Sequence, residues 1–248
     1  MNKTNTYRIA GRNIVISSLH DEVHRLCADY LSPDAAPDFA VETSQADIDF
    51  EREKSTREDE AEGIPIRQFT DAYLETLAVY RKIAEKMPEY DTVLMHGSAV
   101  AIDGEACLFT AKSGTGKSTH AQLWREVFGE RAVMVNDDKP LVKITDSGVT
   151  VYGTPWNGKH RLGENIAVPL KAVCILERAE ENSIRPVTKA EAYPALLRQI
   201  YRPADPVMLA KTLTLIDRLA DSVGLYRLGC NMDREAAEVA YNGMKGTL

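Results

Sequence analysis

The run Ala111-Lys112-Ser113-Gly114-Thr115-Gly116-Lys117-Ser118 has the residue types and spacing of an anion-binding loop. It fits GxxxxGK[ST] except that Ala111 stands where the first glycine would be, a small residue that restricts φ more than glycine does. Gly114 and Gly116 let the backbone turn tightly enough for successive N–H groups to face one phosphate. Lys117 opens the following segment, where a helix N-terminus already favours anions, and its ammonium can reach β- and γ-phosphates. Ser118 can offer its hydroxyl to Mg²⁺. Ser113, Gly114, Thr115, Gly116, Lys117, Ser118 and Thr119 are therefore the expected nucleotide-binding set.

A second chemical group follows at Asn136-Asp137-Asp138, at the end of an apolar run. Two carboxylates at a strand end next to the loop-bearing strand can divide two tasks. One holds metal, and the other accepts a proton from an attacking hydroxyl. His96, at another strand end and followed by Gly97 and Ser98, is a third candidate. His20 and His24 share an i, i+4 spacing without a third ligand nearby, so both read as packed or solvated. Lys159, His160 and Arg161 form a cationic cluster suited to a phosphate or an acidic acceptor.

These residues need elements to position them. Ala106–Thr110 reads as the apolar strand entering the loop, and Lys117–Phe128 as the amphipathic helix leaving it. Strands are expected at Val93–His96, Ala99–Ile102, Arg131–Val135, Leu141–Thr145, Val149–Tyr152, Leu170–Glu177 and Leu225–Leu228, with a tight hairpin at Asp103–Gly104. Further helices are expected at Lys189–Tyr201, Pro206–Ser222 and Arg234–Met244. Earlier in the chain, short strands at Tyr7–Ile9 and Asn13–Ser17 precede a helix at about Asp21–Leu31. Phe39–Thr43 and Ala46–Phe50 read as two more strands, the charged run Glu51–Gly63 as a surface loop or linker, and Phe69–Met87 as a long helix stopped by Pro88. This divides the chain into a small α+β module, residues 1–90, and an α/β core, residues 91–248.

The 248 residues carry a net charge of −7, which argues against broad nucleic-acid binding. Four scattered cysteines make no zinc or disulfide pattern and read as buried reduced thiols. Neither a signal peptide nor an apolar stretch of membrane-spanning length is evident, so a cytoplasmic protein with no membrane partner is expected.

Taken in order, Met95-His96-Gly97, the loop Ser113–Ser118 and the Asn-Asp-Asp segment resemble HPr kinase/phosphorylase, whose P-loop core is shared with PEP carboxykinases. The resemblance covers about Thr92 to Gly243. It implies an α/β fold with a P-loop core of that type, and a kinase that uses ATP and Mg²⁺. Carried onto this chain, Lys117 and Ser118 bind phosphates and metal, Asp137 is the general base with His96 hydrogen-bonded near it, and Asp138 helps hold the metal. Where HPr kinases have a glutamate-containing segment ending in Arg-Gly-Leu-Gly, this chain has Gly153–Gly163, which keeps Leu162-Gly163 and has Glu164 close by. The C-terminal signature used for phosphorolysis is missing, and Arg202 is the nearest anion-binding arginine. The acceptor implied is a serine-type hydroxyl in a protein or peptide, with a free-serine or polyol kinase and a non-catalytic nucleotide sensor as alternatives. HPr kinases are hexamers, and a homo-oligomer is compatible with this chain.

Overall fold

A computed structural model describes residues 3–158 and 161–247. The chain forms two compact units, residues 1–84 and 85–248.

In the first unit, β1 (Lys3–Ile9) and β2 (Arg12–Ser18) pair antiparallel. Their turn places Ala10 at φ 48° and Gly11 at φ 74°, the left-handed pair that a tight hairpin of this hand requires. Helix α1 (Asp21–Leu26) is shorter than the sequence pattern predicts. Beyond Cys27 the chain makes a single 3-10 turn and bridges back to the hairpin, Leu31 opposite Tyr7, with the Ser32 amide donating to the Thr6 carbonyl (2.9 Å). Strand β3 (Phe39–Glu42) joins parallel to β2.

The next stretch departs most from expectation. Ala46–Phe50 is no strand and Glu51–Gly63 is no linker, because both lie in one helix, α2 (Gln45–Glu62), which ends at Gly63 in the left-handed conformation (φ 67°). The alternation Ala46, Ile48, Phe50 mimics a strand, but Ile48 is buried while Phe50 is exposed beneath the Arg81 guanidinium, 4.6 Å from its ring centroid. Glu53, Arg57, Glu58, Glu60 and Glu62 do face solvent, but other charges of the helix are absorbed by partners. Glu51 is buried and accepts from Arg81 Nε (2.6 Å), and Asp47 takes Lys82 Nζ (2.8 Å).

Both of those cations project from α3 (Asp71–Lys86), the long helix foreseen in the sequence. Its Glu75 is wholly buried, and its carboxylate accepts from the Leu19 and His20 amides (2.7 and 2.8 Å), the Thr43 hydroxyl (2.5 Å) and the His20 ring. His24 is also buried, between the Tyr7 hydroxyl (2.7 Å) and the Ser18 hydroxyl (2.9 Å). Both histidines are thus structural.

The second unit is a mixed α/β layer structure. Its strands are β4 (Thr92–Leu94), β5 (Ser98–Ile102), β6 (Glu105–Thr110), β7 (Ala132–Asn136), β8 (Leu141–Thr145), β9 (Gly148–Tyr152), β10 (Ala167–Arg178), β11 (Ser183–Pro186) and β12 (Gly224–Cys230). Its helices are α4 (Lys117–Phe128), α5 (Lys189–Gln199), α6 (Pro206–Ser222) and α7 (Glu235–Met244). The order β4-β8-β9-β10-β6-β5-β7 is extended by β12 against β10 and β11 against β12. β10 changes partners along its length. Its first residues run antiparallel to β9, and its remainder runs parallel between β6 and β12, which curls the sheet.

Strand alternation builds two cores. Ala106 and Leu108 of β6 join Val173, Leu196, Ile216 and Leu219 in one, while Cys107 and Phe109 join Trp124, Cys174, Ala237 and Met244 in the other. Helices α5 and α6 therefore cover one face, and α4 and α7 the other. Each fully buried Leu or Phe contributes about 1.5–3 kcal/mol. Cys107 and Cys174 are the buried free thiols anticipated above, and burial pushes both well above the ordinary thiol range.

Two further differences concern strands. β7, which carries the acidic pair, does not neighbour β6: the antiparallel β5 lies between them. β11 was not foreseen, since its four residues end in a proline and form only an edge.

Burial by itself would raise the Glu75 pKa, but the hydrogen bonds from Thr43, Leu19 and His20 outweigh it and hold the carboxyl below the usual glutamate range. A depressed folded pKa stabilises above the unfolded value of about 4.3 and ceases to do so as pH falls through the folded value. Protection factors of the Leu19 and His20 amides, which divide out the intrinsic slowing of exchange with falling pH, should therefore drop on acidification below about pH 4.3. In Glu75→Gln exchange should already be faster at pH 7, with a flatter acid dependence.

Candidate active site

Between β6 and α4 the chain forms the glycine-rich loop, with Gly114 at φ 76° and Gly116, the residue before α4, at φ 118°. A side chain at either position would be strained in that left-handed backbone. Arg178, at the end of β10, donates to the Gly114 carbonyl (2.5 Å) and the Thr115 carbonyl (3.4 Å). It thereby fixes the loop from the side of its carbonyls. Ser113, Ser118 and Thr119 are exposed around the loop, and Thr115 is half-buried.

Lys117 is buried, 9% exposed, and its Nζ donates to the Ala111 carbonyl (3.1 Å). Burial pushes its ammonium below the ordinary lysine range, while the charges of Asp138 and Asp137 act in the opposite direction. The loop lysine and the acidic pair thus share one electrostatic neighbourhood.

The acidic pair is presented by Asn136, itself fully buried. Its Oδ1 accepts from the Asp138 amide (2.9 Å) and the Lys139 amide (2.7 Å), and its Nδ2 donates to Thr154 Oγ1 (3.0 Å) and to the Trp156 carbonyl (3.4 Å). One side chain therefore shapes the turn holding both aspartates and anchors the segment after β9 beneath it. Trp156 is buried there rather than offered as a stacking platform. Gly158 lies so close to Asp137 that a Cβ would stand 2.7 Å from Oδ2, and Gly153 would collide with the Glu164 and Val135 carbonyls.

The tripeptide His96-Gly97-Ser98 then ties this turn to the loop. His96 Nε2 pairs with Asp138 Oδ1 (3.3 Å), the Gly97 amide donates to the Asp138 carbonyl (3.0 Å), and Ser98 Oγ donates to Asp137 Oδ1 (2.9 Å). On the other side, Thr110 Oγ1, just before the loop, donates to the His96 carbonyl (3.0 Å). A Cβ on Gly97 would press to 2.8 Å from the Phe109 carbonyl, so only glycine allows this approach. The expected pairing of His96 with Asp137 is corrected here. The histidine ring serves Asp138, and the partner of Asp137 is Ser98. Burial would raise the Asp138 pKa, yet the His96 hydrogen bond and the Lys139 charge (3.1 Å) together depress it.

The remaining candidates are dispersed. Lys159 and His160 lie outside the described residues. Arg161 is exposed, at φ 48°, and Arg202 is exposed beyond α5. Among the described residues neither arginine has a contact linking it to the loop or the aspartates. A cationic site that the sequence reading missed lies elsewhere. A cavity of about 580 Å³ beside Ala111 is lined by Lys112, Arg178, Arg198 and Arg227, against two carboxylates, Glu191 and Glu177, the latter paired with Arg227. Its residues come from four separate stretches of chain, so no local run of charge announces it.

Among the described residues no three His, Cys, Asp or Glu side chains converge as a metal site. A donor set of one or two carboxylates and a hydroxyl fits Mg²⁺, which completes its octahedron with phosphate oxygens and water. Ser118 and Asp138 are the residues that would hold it.

A family model described as SynChlorMet cassette protein ScmC matches residues 66–202, more than half of the chain. The chain belongs to the ScmC family. Nothing among curated proteins matches its sequence. Among solved structures it is similar to the Hpr(Ser) kinase/phosphatase from Coxiella burnetii, at 12% identity and a TM-score of 0.36, covering 62% of this chain and 88% of that one. A likeness of that degree carries no inference about the site. Both the glycine-rich loop and the acidic turn of this ScmC family member fall inside the matched segment.

Asn136→Ala removes the acceptor of two backbone amides and a buried donor at once. It should lower the unfolding free energy by about 3 kcal/mol, as expected for orphaned buried polar groups. Urea denaturation followed by tryptophan fluorescence would measure it.

Proposed function

We propose that this ScmC-family chain is an ATP-dependent kinase that transfers the γ-phosphoryl group to a serine-type hydroxyl of a protein or peptide. The observation carrying this reading is the His96-Gly97-Ser98 bridge, which holds Asp137 beside a glycine-rich loop that ends in a buried lysine. Read as a P-loop, residues Ala111–Ser118 bind the phosphate chain through backbone amides, and Lys117 leaves the Ala111 carbonyl to meet the β- and γ-phosphates. Asp137 accepts the proton of the acceptor hydroxyl as that oxygen bonds to the γ-phosphorus. The bond to the β-phosphate oxygen breaks, and the nucleoside diphosphate leaves. Mg²⁺ held by Ser118 and Asp138 would neutralise charge on the phosphates.

Ser98 gives Asp137 its orientation, since a hydroxyl donated to Oδ1 fixes the carboxylate plane and leaves proton acceptance to Oδ2. His96 and Lys139 do the same for Asp138, keeping it ionised. The cavity beside Ala111 keeps a cationic surplus, because Arg227 is paired with Glu177 while Lys112 and Arg198 have no carboxylate partner among the described residues, and this supports an acceptor that bears a carboxylate close to its hydroxyl, a description that acidic serine peptides meet and neutral polyols do not.

The test is ³¹P NMR of the purified chain with ATP, Mg²⁺ and separate pools of acidic serine peptides, neutral serine peptides, free serine and polyols. A phosphoester resonance should arise in the acidic peptide pool and fall at least about 100-fold in Asp137→Asn, the usual contribution of a general base. Lys117→Met should abolish it through lost nucleotide binding. A phosphoester confined to free serine would make the chain a small-molecule kinase. Nucleotide binding with unchanged ATP in every pool, or turnover indifferent to Asp137→Asn, would overturn the kinase reading in favour of a nucleotide sensor.

A further inference from the structure

Among the described residues, Arg178 is the only side chain from outside the glycine-rich loop that hydrogen-bonds to residues 111–118. It does so with one edge of its guanidinium. Nη2 donates to the Gly114 carbonyl (2.5 Å) and Nε to the Thr115 carbonyl (3.4 Å). In a trans peptide the carbonyl of one residue and the amide of the next point in opposite directions. Holding these two carbonyls therefore turns the Thr115 and Gly116 amides away from the arginine. The Thr115 amide closes the loop on the Lys112 carbonyl (3.2 Å), and the Gly116 amide stands at the head of α4, where anions are favoured.

The other edge of the same guanidinium is unspent. The planar fork carries five N–H groups, and no described residue accepts from Nη1. Arg178 is exposed, and no carboxylate among the described residues pairs with it. The two carboxylates nearby are already engaged, Glu177 with Arg227 and Glu191 with Arg185 (2.9 Å). Arg178 also lines the cavity of about 580 Å³ in which Lys112 and Arg198 leave positive charge over. A guanidinium can take a carboxylate by two parallel bonds on one edge while its other edge stays occupied, which an ammonium cannot do.

We propose that Arg178 couples the two substrates: its Nε–Nη2 edge holds the loop, its Nη1–Nη2 edge takes the acceptor's carboxylate, and each substrate binds more tightly when the other is present. The proposal rests on the kinase reading and its acidic acceptor, and adds the residue that joins acceptor to loop and the sign of their linkage. The energetic reason is a shared cost of ordering. A long, exposed arginine gives up side-chain freedom to hold the loop. An acceptor carboxylate then meets a guanidinium already fixed, and a guanidinium fixed by the acceptor keeps the loop carbonyls in place for the phosphates. Such linkage is reciprocal, so the factor is the same measured from either substrate. A neutral acceptor gains nothing from it.

Isothermal titration calorimetry of the full chain with Mg²⁺ and the non-hydrolysable β,γ-imido analogue of ATP tests this. The analogue is titrated alone and beside a saturating short peptide in which aspartates flank an alanine that replaces the serine. The acidic peptide should tighten the analogue by about fivefold or more, and the analogue should tighten the peptide by the same factor. Arg178→Lys, which keeps the charge but not the two edges, should bring that factor close to one. A merely structural clamp would instead weaken the analogue in this variant and leave the factor unchanged. Arg198→Gln, in the same cavity but without a bond to the loop, should weaken the peptide and preserve the factor. Independent or antagonistic binding in the unmodified chain, or a factor that survives in Arg178→Lys, would overturn the coupling and leave the kinase reading standing. An analogue that binds beside an acidic peptide that does not would overturn the acidic acceptor and the coupling together. Binding of neither would overturn the kinase reading as well.

Discussion

Burying an ammonium at the head of a helix is the constraint from which the rest of the second unit follows. Lys117 sits at the positive end of α4, largely out of water, where both the helix dipole and desolvation oppose its charge. The Ala111 carbonyl relieves part of that, and the neighbouring charges of Asp137 and Asp138 relieve more. A buried carboxylate, Asp137, and a half-buried one, Asp138, raise the same difficulty with the opposite sign, and a short polar tripeptide answers it. His96, Gly97 and Ser98 supply a ring, an amide and a hydroxyl to the acidic turn, and Thr110 ties that tripeptide to the loop. Disturbing any of these groups leaves a charge without its partner, so the loop and the acidic turn behave as one structure although a whole strand separates β6 from β7.

The parts of this arrangement that were legible in the sequence are those encoded locally. Glycines at fixed spacing, a lysine at a helix start and an apolar strand before it describe the loop by themselves, and α4 begins and ends where the periodicity places it. The Asp103–Gly104 hairpin, with φ values of 50° and 88°, is equally local. What escaped depends on which strands become neighbours. Nothing near Ser98 says that β5 will run beside β7 and bring its hydroxyl to Asp137, and nothing near Arg178 says that it will reach back to Gly114. Nothing near Asn136 announces its shaping of the acidic turn, which depends on Thr154 and Trp156 folding beneath it.

The first unit shows the opposite kind of misreading. Charge density in Glu51–Gly63 suggests a solvated linker, yet the run is helical and two of its carboxylates, Glu51 and Asp59, are buried against arginines. Arg81 and Lys82 of α3 meet Glu51 and Asp47, and Arg67 meets Asp59. A run of like composition reads as a linker only until the complementary charges, far away in sequence, are known.

Strand β10 also sets an order on the making of the molecule. The loop-bearing β6 (105–110) has one neighbour, β5, from its own vicinity, but its other flank is closed by residues 167–178, and that strand is in turn covered by residues 224–230. Contacts of such long sequence separation form slowly. During synthesis the glycine-rich loop leaves the ribosome well before the carbonyl clamp of Arg178 and the strands that shelter it. The nascent chain therefore carries its most chemically distinctive segment, flanked by the apolar faces of β5 and β6, through an interval without that clamp or the covering strands, the kind of exposure that makes folding intermediates prone to aggregate.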